Sequence, residues 1–179
     1  MRHSLLIIAA SMTLGAESSS AQGFFRRAEV DSLGEVRITL ADKRIIRPPK
    51  ESTQAGVEQL ALSADHRVVG WVVLYPNCCT SYPIPLKLVL LRAGGRRTVI
   101  SDGLPVWQWA FSPDGGSVVI RQAPVHGDAP VSYERRDIRS GRVIASTITD
   151  STTALPGWAR PVVAKPTAST PQGSGSIRH

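Results

Sequence analysis

Cys78 and Cys79 are adjacent, and they are the only two cysteines in the 179-residue chain. They sit in a proline-rich segment, Pro76-Asn77-Cys78-Cys79-Thr80-Ser81-Tyr82-Pro83-Ile84-Pro85. In an oxidising compartment the sole intrachain disulfide open to the chain is Cys78–Cys79. Adjacent Cα atoms lie about 3.8 Å apart, below the usual ~4.4–6.8 Å of a disulfide, so such a bridge is strained. It closes almost no loop and adds little global stability. It would instead stiffen the loop tip into a small apolar plate for gripping a ligand or fixing a turn. Buried free thiols and an intermolecular bridge are the alternatives. A metal site is disfavoured, because neighbouring cysteines lack the Cys-x-x-Cys spacing.

Other candidate chemistry is sparse. Beyond residue 22 the histidines are His66, His126 and His179. No Gly-x-Ser-x-Gly elbow, His-Glu-x-x-His pair or phosphate-binding glycine loop occurs. Ser63 with Asp65, and Ser112 with Asp114, read as turn chemistry, since Asp bonds backbone groups two residues on. His126 and Asp128 have the spacing of an acid–base pair, but the expected state is a solvated loop histidine. Trp107, Trp109 and Phe111 stand at i, i+2 and i+4, so a regular strand puts them on one face. That face is expected to pack between sheets, as are Trp71 and Trp158, rather than to bind sugar. No catalytic residue, metal or cofactor is assigned.

The elements that must carry these residues are strands. Helical periodicity is nearly absent, and short runs rich in Val, Ile, Leu and Trp are cut by Gly, Pro, Asp and Ser. The runs predict strands over Glu35–Leu40, Arg44–Arg47, Glu58–Leu62, Arg67–Tyr75, Leu86–Arg92, Arg96–Ser101, Val106–Phe111, Ser117–Ala123, Val131–Ile138 and Arg142–Thr147. Residues 161–179, rich in Pro, Thr, Ser and Gly, read as a disordered tail. At the other end, a basic start, the apolar run Leu5–Leu14 and the small-x-small Ser19-Ser20-Ala21 predict a signal peptide over residues 1–22. The apolar run is too short for a transmembrane helix, which needs about 20 residues. The expected location is therefore periplasmic or secreted, with no transmembrane segment. The net charge of +7 is spread over separated pairs such as Arg26-Arg27 and Arg96-Arg97. That pattern predicts a solvated basic surface and no specific nucleic-acid partner.

The chain also repeats itself. Leu62-Ser63-Ala64-Asp65 followed by Val69-Gly70-Trp71 matches Phe111-Ser112-Pro113-Asp114 followed by Val118-Val119-Ile120, at an offset of 49. A period near 50 with four strands per unit is that of a propeller blade. The second unit, Trp109 to Ile120 around Ser112-Pro113-Asp114-Gly115, resembles the TolB-type, WD-like β-propeller repeat. The first is a degenerate copy, with Ala64 for Pro and His66 for Gly. The loop around Cys78-Cys79 also resembles segments of exported bacterial proteins. The implied fold is all-β, with two to three four-stranded propeller-like blades forming an incomplete propeller or an open β-sandwich. Residues 57–160 form the repeat domain, and residues 23–56 an N-terminal segment with a hairpin over Gly34–Pro48.

At the offset of 49 the cysteine loop falls opposite Pro124-Val125-His126-Gly127-Asp128-Ala129-Pro130, so Asn77 maps to His126. Equivalent loops of stacked repeats share one face. The expected binding site is therefore Cys78, Cys79, Tyr82, His126 and Asp128. The expected function is a non-enzymatic exported module that binds an envelope or secreted protein or peptide, with self-association into a homo-oligomer as one way to close the blades. The alternative is a small redox or hydrolytic protein using the Cys78-Cys79 and His126 loops.

Overall fold

The computed structural model describes residues 24–127, 129–149 and 155–163. Residues 1–23, where a signal peptide is expected, the tail expected from residue 164 onward and Asp128 lie outside the described residues.

The fold is all-β, with three open antiparallel sheets among the described residues. The first contains β1 (Phe25–Val30), β2 (Val36–Leu40) and β3 (Ile45–Ile46). The second contains β4 (Gly56–Leu62), β5 (Val68–Tyr75), β6 (Ile84–Arg92) and β7 (Arg97–Ile100) in that order. The third contains β8 (Val106–Phe111), β9 (Ser117–Gln122), β10 (Val131–Asp137) and β11 (Val143–Thr149), again in sequential order. The hairpin expected over Gly34–Pro48 is β2–β3, with Ile38 paired to Ile46. β1 joins it, so this sheet has three strands rather than four.

Alternation along the strands explains the stacking. In β5, Val68 and Val72 point into one core with Leu88, Leu90, Val106, Trp109, Val118 and Ile120. Val69, Trp71 and Val73 point the other way, into a second core with Phe25, Val36, Ile38, Val89 and Leu91. The middle sheet is thus buried on both faces along its central strands, which is why β5 and the Leu88–Leu91 stretch of β6 read as nearly unbroken apolar runs. The first sheet covers one face and the third covers the other. The outer face of the third sheet is covered in turn by a 3₁₀ turn at Gly157–Ala159 and a short helix, α1 (Arg160–Val163). Ala159 and Val162 of this segment are fully buried against Val119 and Tyr133. Val162, within the α1 turn, therefore belongs to the core, not to a disordered tail.

The aromatic face is also corrected. The β8–β9 register shifts between Val106 and Gln108, so the alternation of β8 slips by one residue there. Val106 and Trp109 both enter the core, with Phe111 packed against it. The rings of Trp109 and Phe111 meet edge to face, with centroids 5.0 Å apart. Trp107 is displaced from that face, and its indole N–H donates to the carbonyl of Ala123 at 2.9 Å.

The two repeat units fold alike down to their turn hydrogen bonds. Ser63 N–H donates to Val68 O at 2.8 Å, and Ser112 N–H donates to Ser117 O at 2.9 Å. His66 N–H reaches Ser63 O at 2.9 Å, as Gly115 N–H reaches Ser112 O at 3.0 Å. The Asp65 carboxylate accepts the Arg67 N–H, and the Asp114 carboxylate accepts the Gly116 N–H, both at 3.1 Å. Each pair is related by the offset of 49. His66 even takes the left-handed conformation, φ +58°, that Gly115 adopts at +68°.

Candidate functional site

The Ser–Asp pairs hold turns. The Ser63 hydroxyl donates to Asp65 at 2.7 Å and accepts the Val68 N–H at 2.8 Å. That hydroxyl contact, helped by the Arg67 backbone, holds the Asp65 carboxyl below its ordinary range. Burial pushes Asp114 upward, but the Gly116 N–H, the Ser117 hydroxyl and the Arg135 guanidinium outweigh it and leave the carboxyl lowered. The ring of His66 contacts the Phe25 carbonyl at 2.9 Å, so it fastens the first sheet to the middle one instead of serving Ser63 as a base.

The cysteine loop is the connection from β5 to β6. Its root is fixed by side chains from three segments. The Tyr75 hydroxyl donates to Glu51 at 2.5 Å, and the Lys87 ammonium donates to the same carboxylate oxygen at 2.6 Å. Lys87 also lies over the Tyr75 ring, 4.9 Å from its centroid. The Lys87 contact chiefly, then that of Tyr75, lowers the Glu51 carboxyl, and the same contact raises Lys87. Burial and the Glu51 contact raise Tyr75. These three residues were not singled out by sequence, because Glu51 lies far from the other two along the chain. Only the β5–β6 register, which pairs Val73 with Lys87, brings Tyr75 and Lys87 together.

Within the loop, the Asn77 amide donates to Thr80 Oγ1 at 3.2 Å, and Thr80 in turn donates to the Tyr82 carbonyl at 2.6 Å. Cys78 and Cys79 are both exposed free thiols at a turn, with Sγ atoms 2.7 Å apart. The neighbouring Cys78 sulfur, with a smaller effect of burial, pushes the Cys79 thiol up. The Tyr82 side chain is exposed.

The other long connection runs from β9 to β10. His126 is exposed there. Among the described residues no hydrogen bond or ion pair joins it to the cysteine loop. Topology still relates the two. The β4–β5, β6–β7, β8–β9 and β10–β11 turns together line one cleft, through Asp65, Gly94, Gly115 and Ser140 among others. β5 and β9 run away from that cleft, and β6 and β10 return to it. Both long connections are therefore at the end of the stack opposite the cleft. Among the described residues no group of three or more His, Cys, Asp or Glu side chains is placed to share a metal ion. No described helix is long and apolar enough to cross a membrane. Neither a protein-family model nor a curated protein matches the sequence.

Proposed function

We propose that the chain is an exported, non-enzymatic recognition module, built from propeller-like blades of the TolB type, whose binding end is the one carrying the two long connections. The observation that carries this reading is their equivalence: each joins the second and third strands of a four-stranded meander, and the meanders stack face to face. Rigid sheets presenting variable loops are a common way to build a binding surface. Cys78, Cys79 and Tyr82 supply a compact, exposed apolar and aromatic tip on a root tied down by Glu51, Tyr75 and Lys87. His126 is exposed on the neighbouring connection, and Asp128 follows it two residues on in the sequence. A protein or peptide of the envelope is the partner class that suits exposed loops of this kind, and an open stack also leaves room for self-association.

A redox reading draws on the 2.7 Å approach of the two thiols. Against it, the raised Cys79 thiol lacks the depressed pKa of an activated nucleophile. We expect the thiols to close into the Cys78–Cys79 disulfide after export and to stay closed during binding. The test is a thiol count on the exported protein before and after partner binding, paired with partner capture by the Cys78→Ser/Cys79→Ser variant. No titratable thiol in either state, with capture weakened in the variant, supports a structural plate. Protein thiols that appear in step with oxidation of a dithiol substrate to its disulfide would make the protein a redox enzyme instead.

A further inference from the structure

The end of the stack opposite the long loops carries a second feature that the proposed recognition end does not use. The turns of the middle and third sheets enclose a cleft of about 800 Å³, within the ~300–1,000 Å³ range of small-ligand sites. Four arginines line it: Arg67 before β5, Arg92 at the end of β6, Arg96 before β7, and Arg139 in the β10–β11 turn. None of the four makes a salt bridge within 4 Å among the described residues, although Arg67 and Arg139 each help to hold a neighbouring carboxyl, Asp65 and Asp137, below its ordinary range. Arg135 and Arg136, on the adjacent β10, by contrast reach Asp114, Asp102 and Glu134.

The acids nearest the cleft are already engaged. Asp65 lines it, but accepts the Ser63 hydroxyl and the Arg67 N–H. Asp137 accepts the Ser140 hydroxyl and the Ser140 N–H, both at 2.7 Å. Arg92 is half-buried, and its Nε is a buried donor with no hydrogen-bond partner. Arg67 is held from the side by Phe24, its guanidinium carbon 5.2 Å from the ring centroid. Glycines and short side chains make up much of the rest of the wall, at Gly94, Gly115, Gly116 and Ser140, leaving the guanidinium groups room to meet a ligand.

Guanidinium groups recognise phosphate by paired N–H contacts, and a concave wall strengthens the field they share. The geometry points to a binding site for a small oligoanion carrying two or more linked phosphate groups, held between Arg92 and Arg96 of the middle sheet and Arg139 of the third. A single phosphate engages only part of this set and binds more weakly.

Tripolyphosphate and orthophosphate, titrated calorimetrically into the full chain at low ionic strength, test the site. Tripolyphosphate is expected to bind and orthophosphate to bind at least about tenfold more weakly, the equivalent of one charged hydrogen-bonding partner. Arg96→Gln and Arg139→Gln, both at exposed positions, are each expected to lower tripolyphosphate affinity about tenfold. Arg47→Gln, which removes the same charge from an exposed position outside the cleft, should leave affinity unchanged. Circular dichroism establishes that each variant is folded. Failure of tripolyphosphate to bind would overturn the site. So would an equal loss of affinity in Arg47→Gln, which would reduce the effect to net charge.

Discussion

Gly70 on β5 lies directly beneath the indole of Trp109 on β8. A Cβ at residue 70 would stand 2.9 Å from both Cζ2 of Trp109 and Cδ2 of Leu90, closer than side-chain atoms pack. The absence of a side chain at Gly70 is what lets the middle and third sheets close on one buried tryptophan. The indole N–H then donates to the Gln59 carbonyl at 3.0 Å, and Gln59 itself bulges out of β4 with φ +50°. Gly70→Ala is therefore expected to destabilise the fold by about 1–3 kcal/mol through overpacking. Urea unfolding followed by tryptophan fluorescence measures it. A variant as stable as the parent would mean that the two sheets are not held together by this contact.

Local chemistry made most of this legible from sequence. Ser112-Pro113-Asp114-Gly115 specifies its own turn, and the runs that became β4 to β11 are bounded by such turns. What was missed depends on distant partners. β1 carries Arg26, Arg27 and Glu29 and buries only Phe25 fully, so it has no apolar alternation of its own; pairing with β2 makes it a strand. Trp107 was placed on the wrong face because the shift at Val106/Gln108 is a property of the β8–β9 ladder. Pro161 reads as a helix breaker, yet it stands in the first turn of α1, where a missing N–H leaves no bond unmade. The candidate site was legible only as two equivalent loops, because their tips consist of exposed residues that few contacts constrain.

His66 offers a second measurement. A non-glycine residue in the left-handed region costs about 1–2 kcal/mol, while the ring contact to the Phe25 carbonyl returns part of that. His66→Ala keeps the strain and loses the contact. His66→Gly loses the contact and removes the strain. Glycine is expected to be the more stable of the two by about 1 kcal/mol, by thermal or urea unfolding. The opposite order would show that residue 66 is not strained in solution.

Acid should loosen the root of the cysteine loop. Glu51 is held below its ordinary 4.5 by the Lys87 ammonium first and the Tyr75 hydroxyl second. A carboxyl whose folded pKa is depressed contributes stability that is present above the unfolded value and lost as pH falls through the folded one. The melting temperature should therefore hold steady from neutral pH down to about pH 5 and fall below about pH 4. Asp65, Asp114 and Asp137, all lowered, act in the same direction. Glu51→Gln is expected to melt lower than the parent at neutral pH and to show a shallower acid decline. Parallel curves for parent and variant would remove Glu51 from the account.

The central claim is that the two long loops form one recognition end, and site-specific photo-crosslinking tests it most directly. A photoreactive residue is placed in turn at Tyr82, at His126 and, as the control at the opposite end, at Arg96. Each full chain is then irradiated in envelope extract, and the cross-linked species are identified by mass spectrometry. The expected result is the same partner captured from Tyr82 and from His126, and not from Arg96. Different partners at Tyr82 and His126, or the same partner captured equally from Arg96, would contradict it.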